Sequence, residues 1–600
     1  MDRRDGEPDA PRANRSDGAA LALTAVASIA GLAVRLLRLG EPAFNYDETT
    51  RAIMIRLGVA EILDSLVVTH HMPPLNYLVM KALVGPGASE WAHRLPSALC
   101  GALAVPLVFL AGRRLASART AAAAALLLAL SPLHVQSSQL AREYGLLSFL
   151  CAAHLLSLLR LVDRGGKGNA SAFVLTGALA LYTHYFAAFA LLAGGAWALL
   201  EIARRRRRPQ RQRSLLAPEA PAAIGPRSII LASAAIALLF LPWIPRLFGR
   251  AAVEYVPYDT FEAGDAGRTF FACALHAFFR HSDRGGFLHE WADRPVADFL
   301  DVPSVVFAGF AAAGLLSLLR RRPGSAILLA LSLVLPFAGA IAVVSGRSFM
   351  AMRYMLAALP AWLLLGAAGG AAAARLASAR LGARAATIAG GALLALAVAS
   401  VLGIPPTARR TPSGRLSTGL LSHFAAVSNE AALAHGTWKE TALALAPRLR
   451  DGDVVVFAAG AYPTGGGASP HEARNAVRVQ AHASTIFLYY LETAAGRRPT
   501  FYRASLDGFA LTPPAQAVLR TLLFPEPPRF VVPGEADEIS RSADRVWLVS
   551  LESPADMAAR GNPFAEWARS RYEEHPVAAL RFTSESGAVS IQRVLTLYSR

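Results

Sequence analysis

Asp47 and Glu48 stand side by side in FNYDETTRAI, and His70 and His71 follow in THHMPPLNYL. Farther along, Gln139, Arg142, Glu143 and Tyr144 are grouped in SSQLAREYGLL. Thr183, His184 and Tyr185 interrupt the apolar run LYTHYFAAF, and Arg347, Arg353 and Tyr354 fall in SGRSFMAMRYMLAALP. These residue types suit one kind of chemistry. A carboxylate takes a proton from a hydroxyl as a general base. Arginine offers a planar fork that holds two phosphate oxygens at once. A base for the acceptor, with cations for a departing phosphate, would serve sugar transfer from a lipid phosphate. Each group also has a plainer reading. Acids favour the first turn of a helix, so Asp47 and Glu48 can simply begin one. Arg142, Glu143, Arg353 and Tyr354 can be interfacial side chains that reach for water. His184 can be a hydrogen bonder inside a helix bundle, and His70 and His71, before Pro73 and Pro74, ordinary loop residues.

The elements that must position these groups are set by composition. Apolar residues make up 54% of the 600 and charged residues 17%, against about 25% charged in a soluble chain. The mean hydropathy is +0.37. A disordered, fibrous or ordinary cytosolic protein is thereby excluded. A membrane span needs about 20 apolar residues. Such runs lie at 19–39, 95–112, 119–133, 144–160, 170–182, 185–203, 228–249, 302–319, 324–344, 354–374 and 385–404, about eleven spans in all. The stretch 170–203 reads either as two spans or as one long tilted helix. Residues 1–18 are a polar, Arg-rich tail, and the first span reads as an uncleaved anchor.

Charge fixes an expected orientation. With the N-terminus in the cytoplasm, the Lys/Arg density of inside segments exceeds that of outside segments by roughly three to one, the direction of the positive-inside rule. The net charge of +18 then marks cytoplasmic loops, above all Arg204–Arg208, rather than nucleic acid. All the polar groups named above fall on the outer side, within or beside the external loop 40–94 and the later outer turns. Arg142, Arg347 and Arg353 run against the charge bias there and require another reason, because charges at a membrane are costly and commonly functional. Only Lys81, Lys167 and Lys439 among the 60 basic residues are lysines, which with the abundant alanine reads as a GC-rich bacterial source.

Beyond about residue 405 the apolar spans stop, and an odd span count puts 405–600 outside the cytoplasm. Asp453–Phe457, Phe530–Pro533 and Arg545–Leu551 read as short buried strands. Helical patterns at 438–449, 476–492 and 513–523 alternate with them, which predicts an α/β domain. Thr464–Gly467 (TGGG) reads as a loop, since it lacks the spacing of a nucleotide fingerprint. The three cysteines, Cys100, Cys151 and Cys273, all precede residue 300. No fixed repeat and no paired metal-ligand spacing is present.

In order, spacing and topology these pieces resemble the polytopic GT-C glycosyltransferases. The likeness is to the family 39-like group that includes protein O-mannosyltransferases and the lipid A aminoarabinose transferase. The carriers are Asp47–Glu48 after the first span, HMPPLNY, SEWAHRLPSAL at Ser89–Leu99, SPLHVQSSQLAREY at Ser131–Tyr144, THY at Thr183–Tyr185, and RY with a later proline at Arg353–Pro360. The resemblance covers about 20–375. It implies a polyprenyl-phosphate sugar as donor on the outer leaflet, an acid of the first external loop as base, here Asp47, and inversion without a covalent sugar–enzyme intermediate. The aminoarabinose branch carries a lysine before the Pro-Leu loop. Met72 stands here, beside His71, which argues against that donor sugar and leaves Arg142 and Arg353 to meet the phosphate.

The expectation is therefore a polytopic α-helical membrane protein, GT-C-like, with a transmembrane domain over 19–404 and an extracytoplasmic α/β domain over 405–600. Residues 40–94 and 250–301 would be its larger external loops. It would move a sugar from a polyprenyl-phosphate carrier to a hydroxyl of a protein, lipid or polysaccharide outside the bacterial cytoplasmic membrane. Asp47 would be the base and Glu48 its support. His70, His71, Arg142, Glu143, Tyr144, His184, Arg347, Arg353 and Tyr354 would line the donor and substrate site. No cofactor is required, because the leaving group is already a phosphate ester. A divalent metal at Asp47, Glu48 and the histidine pair is conceivable but not predicted. The rivals are a ligase or polymerase that moves a whole glycan from a lipid diphosphate, a lipid or sugar transporter, and a non-catalytic receptor.

Overall fold

The computed structural model describes residues 15–66, 72–85, 87–207, 225–245, 302–344, 352–403, 409–411, 414–416, 420–421, 430–458, 470–503, 529–530, 539, 541–551, 555–556, 563–583 and 590–600. The chain divides into two compact units. The first takes in the described parts of 1–37, 94–244 and 260–423. The second takes in those of 38–93, 245–259 and 424–600. The segment 40–94, expected as a loop of the transmembrane domain, thus groups with the C-terminal domain.

The first unit is helical. Its helices are α1 (Arg15–Leu36), α5 (Glu90–Leu115, which begins in the second unit), α6 (Ala118–Leu130), α7 (Pro132–Ser138), α8 (Tyr144–Arg164), α9 (Lys167–Thr183), α10 (Ala187–Arg206) and five more, Pro226–Phe240, Val302–Arg321, Pro323–Val344, Leu359–Leu381 and Ala383–Leu402. Among the described residues nine helices of 18–26 residues are long and apolar enough to cross a membrane. A tenth candidate is the pair α6–α7, bent by 56°. Each of the eleven apolar runs in the sequence has become a helix. α9, at 17 residues, is shorter than the about 20 residues of a straight span. The polar break at His184 separates α9 from α10, so 170–203 is two helices. The bend between α6 and α7 has a local cause. Ser131 caps α7 and Pro132 opens it, a pairing that starts a new helix rather than continuing the old one. The core is aliphatic and alanine-rich, centred on residues such as Val105, Leu128, Leu158, Ala311 and Leu364.

In the second unit, α2 (Tyr46–Met54), α3 (Val59–Ser65) and α4 (Leu75–Leu83) belong with a six-stranded sheet. After an antiparallel strand pair, β1 (Arg409–Thr411) and β2 (Gly414–Leu416), the strands of this sheet are β3 (Val454–Ala458), β4 (Thr500–Arg503), β5 (Arg529–Phe530), β6 (Arg545–Ser550), β7 (Glu573–Thr583) and β8 (Ser590–Ser599), in the order β5-β4-β3-β6-β8-β7. β5, β4, β3 and β6 run parallel, while β8 and β7 are antiparallel additions. β3 is buried throughout, as a parallel strand covered on both faces must be. Pro576 sits on β7, at the sheet edge, where a missing N–H is tolerated. Helices Glu430–Leu445 and Pro470–Ala495 cover the sheet, and Trp438, Phe457, Phe487 and Trp547 fill the core between them. The strands expected at 453–457 and 545–551 and the helices at 438–449 and 476–492 are present. The last strand pair was not foreseen. The expected helix at 513–523, the TGGG loop and the external loop 250–301 lie outside the described residues.

Candidate active site

Six of the expected site residues come together in the first unit. Arg142 and Glu143 lie in the turn after α7, and Tyr144 opens α8. The Tyr144 ring is fully buried. Its hydroxyl accepts from Arg353 Nε at 2.9 Å and from Arg142 Nη2 at 3.3 Å. Both guanidinium carbons lie 5.3 Å from the ring centroid. Arg142 also donates to both oxygens of Glu143, at 3.2 and 3.1 Å, a two-point fork between buried partners. His184, between α9 and α10, and Tyr354, in the 3-10 turn Met352–Met355, stack against this group. The His184–Tyr354 centroids are 5.1 Å apart and the Tyr144–Tyr354 centroids 6.2 Å. The His184 Nδ1 accepts the Phe186 N–H at 3.2 Å, which assigns the proton of a neutral ring to Nε2. The three ionised groups carry one surplus positive charge in an aromatic, largely buried setting. Such a group can bind an oxyanion and hold it against rigid hydrogen-bond donors.

The turn is placed by close packing. A Cβ added at Gly145 would lie 2.1 Å from the Ser97 carbonyl oxygen of α5, so only glycine lets the start of α8 approach so near. At Gly101, one turn farther along α5, an added Cβ would instead meet the Ser138 side chain. Gln139 closes the other side. Its amide nitrogen donates to the Leu37 carbonyl at 2.9 Å and the Arg35 carbonyl at 3.2 Å, at the end of α1.

A buried chain that sequence reasoning missed lies behind this turn. Arg35, fully buried in α1, donates to the carbonyls of Gly31 at 2.7 Å and Ala129 at 2.9 Å, and to His134 Nδ1. His134 Nε2 is 2.6 Å from Ser148 Oγ. Arginine can only donate, so Nδ1 is the acceptor and Nε2 carries the proton. In the sequence Arg35 looks like an interfacial residue near the end of a span. Its one distinguishing sign is a position a full turn before that end.

In the second unit Asp47 and Glu48 occupy the first turn of α2, at the positive end of the helix dipole. Asp47 is half-buried and Glu48 buried. Glu48 is a structural participant: its carboxylate accepts from the Asn45 N–H at 3.2 Å, and its own N–H donates to Asn45 Oδ1 at 3.0 Å. This reciprocal capping box starts the helix. The segment before it is gripped by the C-terminal domain. Phe44 N–H donates to Tyr490 Oη at 2.9 Å, and that hydroxyl donates to Glu90 at 2.8 Å. Glu90 is also paired with Lys439 at 2.5 Å. Tyr46 stacks on His482 at 3.8 Å. At the far end of α2, Arg56 meets Thr493 at 3.0 Å and Glu492 at 3.6 Å. Burial pushes the Glu492 carboxyl up, against the pull of Arg498 and Arg56. His70, His71 and Arg347 lie outside the described residues. Among the described residues no three His, Cys, Asp or Glu side chains gather as a metal site.

Comparison with known proteins bears on the fold. Residues 71–217 match the model of the dolichyl-phosphate-mannose-protein mannosyltransferase family. That stretch holds Arg142, Glu143, Tyr144 and His184 but not Asp47. No curated protein matches the chain in sequence. Among solved structures, ArnT from Cupriavidus metallidurans in the apo state has a TM-score of 0.51 at 14% identity, over 97% of this chain and 98% of that one. The same protein bound to undecaprenyl phosphate gives 0.48 at 16% identity, with the same coverage. The Archaeoglobus fulgidus oligosaccharyltransferase with zinc and sulfate gives 0.44 at 12%, over 94% of this chain and 72% of that one. The first of these establishes the fold. The chain thus has the fold of ArnT, with many helices long and apolar enough to cross a membrane and a match to the mannosyltransferase family model over 71–217.

Proposed function

We propose that the enzyme moves a sugar from a polyprenyl-phosphate carrier to an acceptor hydroxyl at the outer face of a bacterial cytoplasmic membrane, with inversion. The observation that carries this reading is the Tyr144 hydroxyl held between the guanidinium groups of Arg142 and Arg353. That is an anion cradle at the end of membrane helices. The description of the matched family, by dolichyl-phosphate mannose, is of a lipid monophosphate sugar and supports the donor class. In a single displacement the acceptor oxygen bonds to the anomeric carbon as the bond from that carbon to the phosphate oxygen breaks. The electron pair leaves on the polyprenyl phosphate, whose growing charge Arg142 and Arg353 stabilise. The acceptor proton passes to Asp47. Glu48 holds the helix that carries Asp47. His184 donates a hydrogen bond from Nε2. His71 and Arg347 are assigned to the same substrate. No cofactor is assigned. The acceptor is a protein, lipid or polysaccharide hydroxyl.

The test is transfer itself. Purified protein is mixed with a panel of polyprenyl-phosphate sugars and membrane extract, and release of free polyprenyl phosphate is followed for wild type and Asp47→Asn. Asp47→Asn is expected to lose on the order of 10²–10⁴-fold in turnover, the usual worth of a general base, with its melting temperature unchanged. Near-normal turnover would remove Asp47 as the base. Release from no monophosphate donor would overturn the donor class.

A further inference from the structure

The helices that present Tyr144 and His184 at one end carry a second, unassigned site at the other. α8 runs from Tyr144 to Arg164 over 21 residues, about 30 Å at 1.5 Å per residue, which is the thickness of a bilayer core. At that far end a cleft of about 260 Å³ opens among the last turns of α5, α8 and α10 and the turn that joins Val302–Arg321 to Pro323–Val344. Five guanidinium groups, those of Arg114, Arg204, Arg205, Arg321 and Arg322, face two carboxylates, Asp163 and Glu201. The cleft therefore carries a surplus of three positive charges.

The arginines are built in rather than scattered. Glu201 is 5% exposed. It accepts from Arg204 Nε and Nη2 at 2.8 and 2.7 Å and from Arg205 Nε at 2.8 Å. Asp163 holds Arg114 at 3.0 Å and Arg205 at 3.1 Å. Arg322 donates to the Ala116 carbonyl at 2.9 Å, beyond the end of α5. Trp197 Nε1 donates to the Gly324 carbonyl at 2.7 Å and pins the turn beside Glu201. The Arg321 side chain is exposed and makes no hydrogen bond or ion pair with the described residues. Arginines that served only as topology anchors would need neither a cleft nor a buried acid to aim them.

We propose that this cleft binds the phosphate of an anionic phospholipid head group in the leaflet opposite the Arg142–Tyr144 cluster. The chemistry is that of a phosphate ester. Planar forks match its oxygens, and basic pockets between membrane helices are where anionic head groups dock. The volume lies below the about 300–1,000 Å³ of pockets that enclose drug-sized ligands, which suits a head group whose acyl chains stay in the bilayer.

The experiment uses the full chain in neutral detergent. Its melting temperature is followed while phosphatidylglycerol, phosphatidylcholine or inorganic phosphate is titrated, for wild type, Arg321→Gln, Arg114→Gln and, as a charge-matched control outside the cleft, Arg384→Gln. A ligand of the folded state raises the melting temperature with concentration. Phosphatidylglycerol is expected to do so and phosphatidylcholine not. Arg321→Gln and Arg114→Gln should each need about ten-fold more lipid for the same rise, while Arg384→Gln should match wild type. An equal rise with inorganic phosphate, lost in the same two variants, would keep the site and identify free phosphate as its ligand. An equal response to both lipids, or an equal loss in Arg384→Gln, would overturn the proposal in favour of diffuse surface charge.

Discussion

Tyr144 and Asp47 are placed by different forces. The start of α8 is fixed by exclusion: its backbone at Gly145 touches the backbone of α5 so closely that no side chain fits between. Repulsion at such a contact rises steeply, so the turn that carries Arg142 and Tyr144 has little freedom, and buried forks and stacked rings complete it. The start of α2 is fixed by attraction: a capping box, one hydrogen bond from Phe44 to Tyr490, and a ring of Tyr46 laid on His482. These contacts break one at a time and at modest cost. The difference teaches that the anion cradle rests on an unyielding backbone contact, whereas the acid rides on a segment held by side-chain packing and hydrogen bonds, with Phe44 and Ala52 in the core of the second unit.

The strongest test of the cradle is to remove one of its cations. Arg353 is half-buried at the rim, and its Nε bond to Tyr144 is one of two that the hydroxyl accepts. Arg353→Ala is expected to cost about 1.5–3 kcal/mol of donor binding, the worth of a hydrogen bond to a charged group. That is about ten- to a hundred-fold in kcat/KM, most of it in KM, with a small change in melting temperature. An unchanged donor KM would take Arg353 out of the cradle.

Next in size is a change that keeps every functional group and moves them. In Gly145→Ala the new methyl would sit against the Ser97 carbonyl oxygen. Overpacking of this sort costs about 1–3 kcal/mol, and the start of α8 must shift to relieve it. The expected result is a lower melting temperature together with a raised donor KM. A fall in stability alone would mean that the cradle tolerates movement, and the contrast with α2 would weaken.

Much of this was legible in the sequence, for physical reasons that can be named. Every apolar run became a helix because a backbone in lipid must satisfy its own hydrogen bonds. Asp453–Phe457 and Arg545–Leu551 were readable because parallel strands are apolar on both faces. The grouping of Arg142, Tyr144, His184 and Arg353 followed from their shared position at one set of helix ends. The β7–β8 pair was missed because EEHPVAALRFT mixes charge, proline and apolar residues without alternation, as an edge strand can. Arg35 was missed because burial of a charge depends on partners such as His134 and the Ala129 carbonyl, which lie about a hundred residues away. The grip of the C-terminal domain on α2 was missed for the same reason: Phe44 and Tyr490 are brought together only by the fold.

The smallest expected effect comes from that grip. Tyr490→Phe removes one oxygen that serves two partners, the Phe44 N–H and Glu90. The ring and its contacts with Phe44 and Lys439 remain, so the core of the domain should survive. The loss is about 1 kcal/mol for the hydrogen bonding, felt at Phe44, the residue before the Asn45 cap. If α2 depends on this contact, its first turn frays in a fraction of molecules and Asp47 is misplaced in that fraction. Turnover should then fall by up to about five-fold while the donor KM stays as it was, because the cradle belongs to the other unit. Hydrogen exchange at Asp47, Glu48 and Thr49 should quicken in step with the loss of rate. Quicker exchange with full turnover would mean that the acid need not be held for the reaction, and slow exchange with lost turnover would point to a direct role for the Tyr490 hydroxyl.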